Sequence, residues 1–314
     1  MKLQTQIQLK KMPDPIDYNS RLLLLGSCFV ENMGEKFAHF KFRALQNPFG
    51  ILFHPKAIEN LVVNAIGAKE YSDRDVFYFN ERWHCYDAHS ALSDIGKEAL
   101  LQKLNDGLAQ TATQLSEASH IIITLGTAWV YRNRTTDAVV ANCHKVPQAE
   151  FSKEILEVDD IVASLENIIA QIKAVNKNCR PIFTISPIRH LKDGFIENQR
   201  SKAHLITALH KVCCQDQLSY FPSYEIMMDE LRDYRFYSED MVHPNALAIN
   251  YIWEKFREVC LSDSTAAIMK KVDTVQKGLQ HRPFNPKAEK HLKFLQALEQ
   301  KIQQLQSDHS FMKF

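Results

Sequence analysis

The chain has 314 residues, 45% hydrophobic and 24% charged, a globular composition with room for one large domain or two small ones. Lys and Arg number 38 against 37 Asp and Glu, so no nucleic-acid surface is expected, and seven cysteines without Cys-x-x-Cys spacing exclude zinc-ribbon and thioredoxin motifs. No run approaches 18 apolar residues and the opening MKLQTQIQLKKMPDP lacks an apolar leader, so the expectation is a cytoplasmic protein with reduced, mostly buried thiols and no membrane span.

RLLLLG (21–26) reads as a buried strand, and FVENMGEKFAHF after it has helical spacing at Phe29, Val30, Met33, Phe37 and Phe40. ALQNPFGILFHP is turn-rich, and residues 55–67 read as a helix. DVFYFNERWHCYDAHS suggests two short aromatic strands paired across Asn80-Glu81, followed by a helix over 95–118. HIIITLG (120–126) is a second strand ending in glycine. DDIVASLENIIAQIKAVN (159–176) is an amphipathic helix with Asp159 as its expected cap. RPIFTISP (180–187) is a third strand, residues 197–215 a helix, LSYFPSYE a fourth strand, and 245–260 a further helix.

Apolar strands alternating with helices imply a parallel sheet covered on both faces, with function gathered at the carboxyl ends of the strands. The domain expected on this basis runs over 1–261, with 262–314 an appended helical extension. In that extension Leu292, Leu295, Leu298, Ile302 and Leu305 fall three or four apart, a stripe suited to packing on the body or to self-association. The oligomeric state stays open.

Ser27 and Cys28 follow the strand-ending Gly26 and precede a helix, where backbone amides and the helix dipole favour an anion. A thiol there is expected to have a lowered pKa, and the amides can form an oxyanion hole. The bland alternative is Ser27 as a helix cap and Cys28 as a small buried residue. Asp240 stands three residues before His243 in a loop that opens a helix, a spacing that lets a carboxylate orient an imidazole acting as base.

The motifs GSCFV, NPFGILFHP, DAHS, TLGTAWVY, SPIRH and YFPSYEIMMDELRDYRFYSEDMVHPN, in this order from about Leu23 to Lys255, resemble the GSCFA family. More broadly, the chain is similar to SGNH (GDSL-like) hydrolases. The resemblance implies a three-layer α/β/α, flavodoxin-like parallel sheet and an acyl-transfer chemistry on a small-molecule or glycan ester, with no metal or cofactor. Asp240 and His243 match the superfamily's last motif. Setting Gly-Asp-Ser on Gly26-Ser27-Cys28 puts the nucleophile on Cys28 and the aspartate position on Ser27. Ser27 would serve only with the loop offset by one residue. The superfamily's Gly-x-x-Asn falls on Gly126-Thr127-Ala128-Trp129, so the asparagine that helps hold the oxyanion is replaced by Trp129. Losing one such donor costs roughly 3–4 kcal/mol of barrier, so a substitute is expected from Asn47 or the backbone of Gly50, with the Gly126–Thr127 amides contributing.

Other polar residues of the motifs join the candidate site. Arg189 suits either an anionic substrate group or a structural ion pair, and His190 stands beside it. His89-Ser90 follow the aromatic hairpin, where His89 is either a substrate contact or a structural histidine. Asn198, Ser201 and Lys202 fall on the next helix, and the Tyr and Arg residues of LRDYRFY are expected to brace the Asp240–His243 loop. The rival to an enzyme is a binding module that retains the fold with a degenerate site.

Overall fold

In the computed structural model residues 4–216 and 218–314 are described, without the side chains of 214–216. In chain order the elements are β1 (Arg21–Gly26), α1 (Phe29–His39), β2 (Arg43–Gln46), α2 (Pro55–Ile66), β3 (Phe77–Phe79), β4 (Arg82–His84), α3 (Lys97–Glu117) and β5 (His120–Leu125). There follow β6 (Trp129–Asn133), β7 (Val139–Val140), β8 (Phe151–Ile155), α4 (Val158–Val175), β9 (Arg180–Ile185), α5 (Phe195–Asp216) and β10 (Ser219–Phe221). The last are α6 (Ser223–Glu225), α7 (Ala246–Cys260), α8 (Thr265–Gln280) and α9 (Glu289–Asp308).

A parallel sheet in the order β10-β9-β5-β1-β2 forms the centre. Alternate side chains of β1 enter opposite cores, because successive residues of a strand face opposite ways. Leu23 and Leu25 meet α2 to α5 on one face; Leu22 and Leu24 meet α1, α7 and the C-terminal helices on the other. The three apolar runs expected as strands are β1, β5 and β9, buried on both faces.

The direction of strand order reverses between β1 and β5, and in open α/β sheets ligands bind in the crevice at that reversal. Gly26-Ser27-Cys28 and Gly126-Thr127 sit at the carboxyl ends of these two strands. Gly26 has φ +132°, and a Cβ there would lie 2.1 Å from the carbonyl oxygen of Thr124, so only glycine fits.

Several local details differ from the sequence expectation. Arg43–Gln46, which precede and enter the turn-rich ALQNPFG stretch, form the edge strand β2; its side chains alternate between half-buried and exposed, so it carries no apolar run. Residues 129–155 form an antiparallel sheet in the order β7-β6-β8, also without a continuous apolar signal. Helix α4 is preceded by Glu157 at its cap, and Asp159 pairs instead with Lys211 at 2.8 Å. The hairpin turn falls where expected: Asn80 and Glu81 have φ +45° and +59°, the pair of positive values a type I′ turn needs.

The C-terminal helices cover the α1 face. Asp273 of α8 contacts His39 at 3.1 Å, and the Arg43 guanidinium lies 4.7 Å from the Phe311 ring centre. The leucine stripe of α9 divides: Leu298 and Leu305 are 6% and 2% exposed, whereas Leu292 and Leu295 are 50% and 43% exposed. Leu305→Ala is therefore expected to destabilise the protein by about 2–4 kcal/mol in urea unfolding, and Leu295→Ala by under about 1 kcal/mol.

Candidate active site

The Cys28 sulfur lies 3.9 Å from His243 Nε2. On the other side of the ring, His243 Nδ1 is 2.6 Å from Asp240 Oδ2. The second Asp240 oxygen accepts the amides of Val242 and His243 at 2.9 and 3.0 Å. Those amides, with the His243 ring, hold the Asp240 carboxyl down to about 2. An ionised Asp240 accepts a proton-bearing Nδ1, which leaves the Nε2 lone pair directed at the sulfur. Cys28, His243 and Asp240 thus form one line of contacts across the strand-order reversal. Ser27 is fully buried, and its hydroxyl has no hydrogen-bond partner among the described residues.

The loop carrying Asp240 and His243 is tied at both ends. Ser238 N donates to His243 O at 2.8 Å, Met241 takes φ +56°, and Asn245 caps α7 by accepting the amides of Leu247 and Ala248. Arg189, at the end of β9, grips the same loop. Its amide donates to Val242 O at 3.3 Å, its guanidinium donates to Met241 O, and the cation lies 4.2 Å from the Tyr237 ring centre and 5.3 Å from that of Tyr234. Among the described residues its guanidinium meets Met241 O and the rings of Tyr237, Tyr234 and, at 6.0 Å, Phe195, while its buried Nε has no hydrogen-bond partner. Tyr234 and Tyr237 of LRDYRFY brace the loop through it.

The electrostatics differ from expectation at the nucleophile. Burial pushes the Cys28 thiol up to about 11, with the amides of Cys28 and Phe29 pulling back and Glu31 pushing further. The helix N-terminus is present, but desolvation outweighs it, so the expected lowered pKa is not found. At neutral pH Cys28 is therefore mostly the thiol. Alkylation of Cys28 by iodoacetamide, followed by peptide mass mapping, is expected to climb with pH past the ordinary thiol range toward about 11. A plateau near neutrality would refute the raised thiol pKa.

Beneath the site Lys202 is fully buried. Its Nζ donates to Gly126 O and Ser186 O, both at 2.8 Å, joining the carboxyl ends of β5 and β9. Burial lowers its pKa to about 7, against a smaller opposite pull from Cys28.

The expected oxyanion donors fare unevenly. The Gly126 and Thr127 amides already donate to Phe53 O at 2.8 and 3.0 Å, and the Gly50 amide closes a turn onto Asn47 O at 2.7 Å. All three amides are thus engaged within the protein. The Thr127 hydroxyl contacts Ser201 Oγ at 3.0 Å and accepts Trp129 N at 3.0 Å. Asn47 accepts the Gly26 amide at 3.0 Å through Oδ1, while its buried Nδ2 has no partner among the described residues. His89 packs against Gly50, and a Cβ on that glycine would lie 2.5 Å from His89 Cβ. His89, the exposed Ser90, Asn47 and Gly50 are not among the residues lining the cavity at Cys28. The amides of Cys28 and Phe29 lie against the Cys28 sulfur and favour its thiolate.

That cavity holds about 850 Å³ and runs from Cys28 and His243 past His190 to walls of Phe53, Trp129 and Val140. Its size is typical of a small-molecule site. Strands β6 to β8 supply one wall, a contribution the sequence did not reveal because those strands alternate rather than run apolar. Trp129 donates its indole N–H to Glu197 O at 3.1 Å and is a wall residue. Among the described residues no group of three or more His, Cys, Asp or Glu could hold a metal ion.

The GSCFA family profile matches residues 21–256, three quarters of the chain including β1, the cavity and the Asp240–His243 loop. This chain belongs to the GSCFA family. The C-terminal domain of GSCFA domain proteins matches residues 272–314, the stretch containing most of α8 and all of α9. No curated protein matches the chain. In this GSCFA protein the first motif contributes Cys28 and the last contributes Asp240 and His243.

Proposed function

We propose that this GSCFA protein is an acyl-transfer enzyme with an SGNH-like site, an esterase, thioesterase or acyltransferase acting on a small-molecule or glycan acyl ester. The observation that carries the reading is the contact line from Cys28 through His243 to Asp240 at the mouth of a small-molecule cavity. His243 Nε2 takes the thiol proton as the sulfur attacks the acyl carbonyl, forming a C–S bond and an oxyanion facing the amides of Cys28 and Phe29. The carbon–oxygen bond then breaks, and the leaving alkoxide takes the proton back from His243. Water or an acceptor alcohol, deprotonated by the same ring, attacks the thioester and restores the thiol. The free cysteines and the absence, among the described residues, of a helix able to cross a membrane support a reducing, cytoplasmic setting.

The direct test is trapping. Incubation with p-nitrophenyl acetate and acid quench should leave one acetyl group, mapped to Cys28 by peptide mass spectrometry. Label on Ser27 would move the nucleophile, and no label with any activated ester would favour a binding module. That second reading draws on the engaged amides of Gly126 and Thr127. Arg189→Lys tests the loop clamp: a lysine cannot place a planar guanidinium between Met241 O and the tyrosine rings, and turnover should fall about 10- to 100-fold from misplacement of His243. Hydrogen exchange over 238–243 should rise in the same variant.

A further inference from the structure

An acyl-transfer site with Trp129 where an asparagine would donate needs another side-chain donor, and most polar groups around Cys28 are taken. The amides of Gly126 and Thr127 serve Phe53 O, the Gly50 amide serves Asn47 O, and the Trp129 amide and indole serve Thr127 Oγ1 and Glu197 O. His190 Nε2 is different. It is shielded from solvent, has no hydrogen-bond partner among the described residues, and belongs to a ring that lines the cavity with Cys28 and His243. An unpartnered buried polar atom is costly unless something else meets it.

The position of that nitrogen is held from several sides. The His190 amide donates to the buried Asn198 Oδ1 at 2.9 Å, and the ring stands edge-on to Phe53 with centres 5.6 Å apart. Gly126 opens the space in front of it: a Cβ there would lie 3.3 Å from His190 Nε2 and 3.1 Å from Ser27 Cβ. The gap left by that missing methyl therefore lies between the ring nitrogen and the turn that carries Cys28.

We propose that His190, as the Nε2–H tautomer, donates a hydrogen bond to the oxyanion formed at Cys28, in place of the asparagine that Trp129 displaces. This inference rests on the acyl-transfer reading. Burial, with Lys202 and His243 nearby, pushes the His190 ring down to about 3, so it stays neutral across the working range. A neutral imidazole donates without risk of handing its proton to the oxyanion. The division of labour follows: His243, half exposed and paired with Asp240, moves protons; His190, enclosed and without a carboxylate, holds one in place.

The test uses the full chain and p-nitrophenyl acetate. His190→Phe keeps a flat ring and removes the donor, whereas His190→Gln keeps a donor. The acylation rate is expected to fall about 100- to 1000-fold in His190→Phe, with KM and the rate of Cys28 alkylation by iodoacetamide within about twofold of the unsubstituted protein. His190→Gln should recover at least about tenfold of the loss. An acylation rate in His190→Phe within about threefold of the unsubstituted chain overturns the donor role and leaves acyl transfer standing. Equal losses in both variants, or a parallel loss of Cys28 alkylation, overturn it in favour of a structural role for the ring. Absence of Cys28-dependent turnover in the unsubstituted chain overturns the acyl-transfer reading, and the donor role with it. Nitrogen NMR gives a readout free of activity: a neutral Nε2–H ring between about pH 5 and 8 is expected, and an Nδ1–H tautomer or titration there refutes the proposal.

Discussion

Cys28→Ala and His243→Ala are each expected to lower p-nitrophenyl acetate turnover by about 10⁴-fold, and the double variant by little more, because groups that act as a unit do not add. The reasoning is local. With its thiol held near 11, Cys28 carries little thiolate at neutral pH unless His243 takes the proton, so losing the ring is nearly as damaging as losing the sulfur. Asp240→Asn should cost about 10²- to 10⁴-fold, since an amide in place of the carboxylate no longer selects the tautomer with Nε2 facing the sulfur. Ser27→Ala makes the sharp contrast. It removes a fully buried hydroxyl that has no partner among the described residues, so turnover should stay within about threefold and stability should hold or rise. Loss of turnover in Ser27→Ala with retention in Cys28→Ala would reverse the assignment. Circular dichroism of each variant separates chemistry from misfolding.

How much of this was legible depends on where each signal is stored. The apolar runs of β1, β5 and β9 state their own burial, and from three such strands with helices between them a covered parallel sheet follows. Strand β2 states nothing, because an edge strand of four residues with alternating exposure has the composition of a loop. The wall made by β6 to β8 is silent for the same reason. The pairing of Cys28 with His243 joins residues 215 apart; motif order suggested it and only the fold supplies the 3.9 Å contact. The thiol pKa was misjudged because helix N-termini are visible in sequence and desolvation is not. Arg189 was legible as a cation at a strand end, whereas its aromatic partners depended on how the Asp240 loop folds back. The leucine stripe of α9 was legible as a stripe, but which leucines face the body is set by the tilt of the helix.

Gly26→Ala is the substitution expected to damage the fold most. The added Cβ would lie 2.1 Å from Thr124 O and 2.9 Å from Thr124 C. These are backbone atoms of β5, at the centre of the sheet, and the same carbonyl accepts the Ser27 amide at 3.0 Å. No side chain can swing aside, so relief requires prising β1 from β5 or abandoning φ +132°. The strained φ alone costs about 1–3 kcal/mol, and loss of ladder contacts in the sheet centre brings the total to about 4 kcal/mol or more. Against a usual stability of about 5–15 kcal/mol, the variant should unfold at a much lower urea concentration or fail to accumulate. Gly96→Ala is the matched control. Gly96 has φ −99° and its nearest Cβ neighbour would be 3.7 Å away, so its cost should be under about 1 kcal/mol. If Gly26→Ala folds as well as Gly96→Ala, the turn that aims Cys28 is looser than described. In that case the contact with His243, which depends on the same turn, would lose its support. Structure and chemistry meet at this one glycine, because the conformation that excludes a side chain at Gly26 is also the one that delivers the next two residues to the crevice.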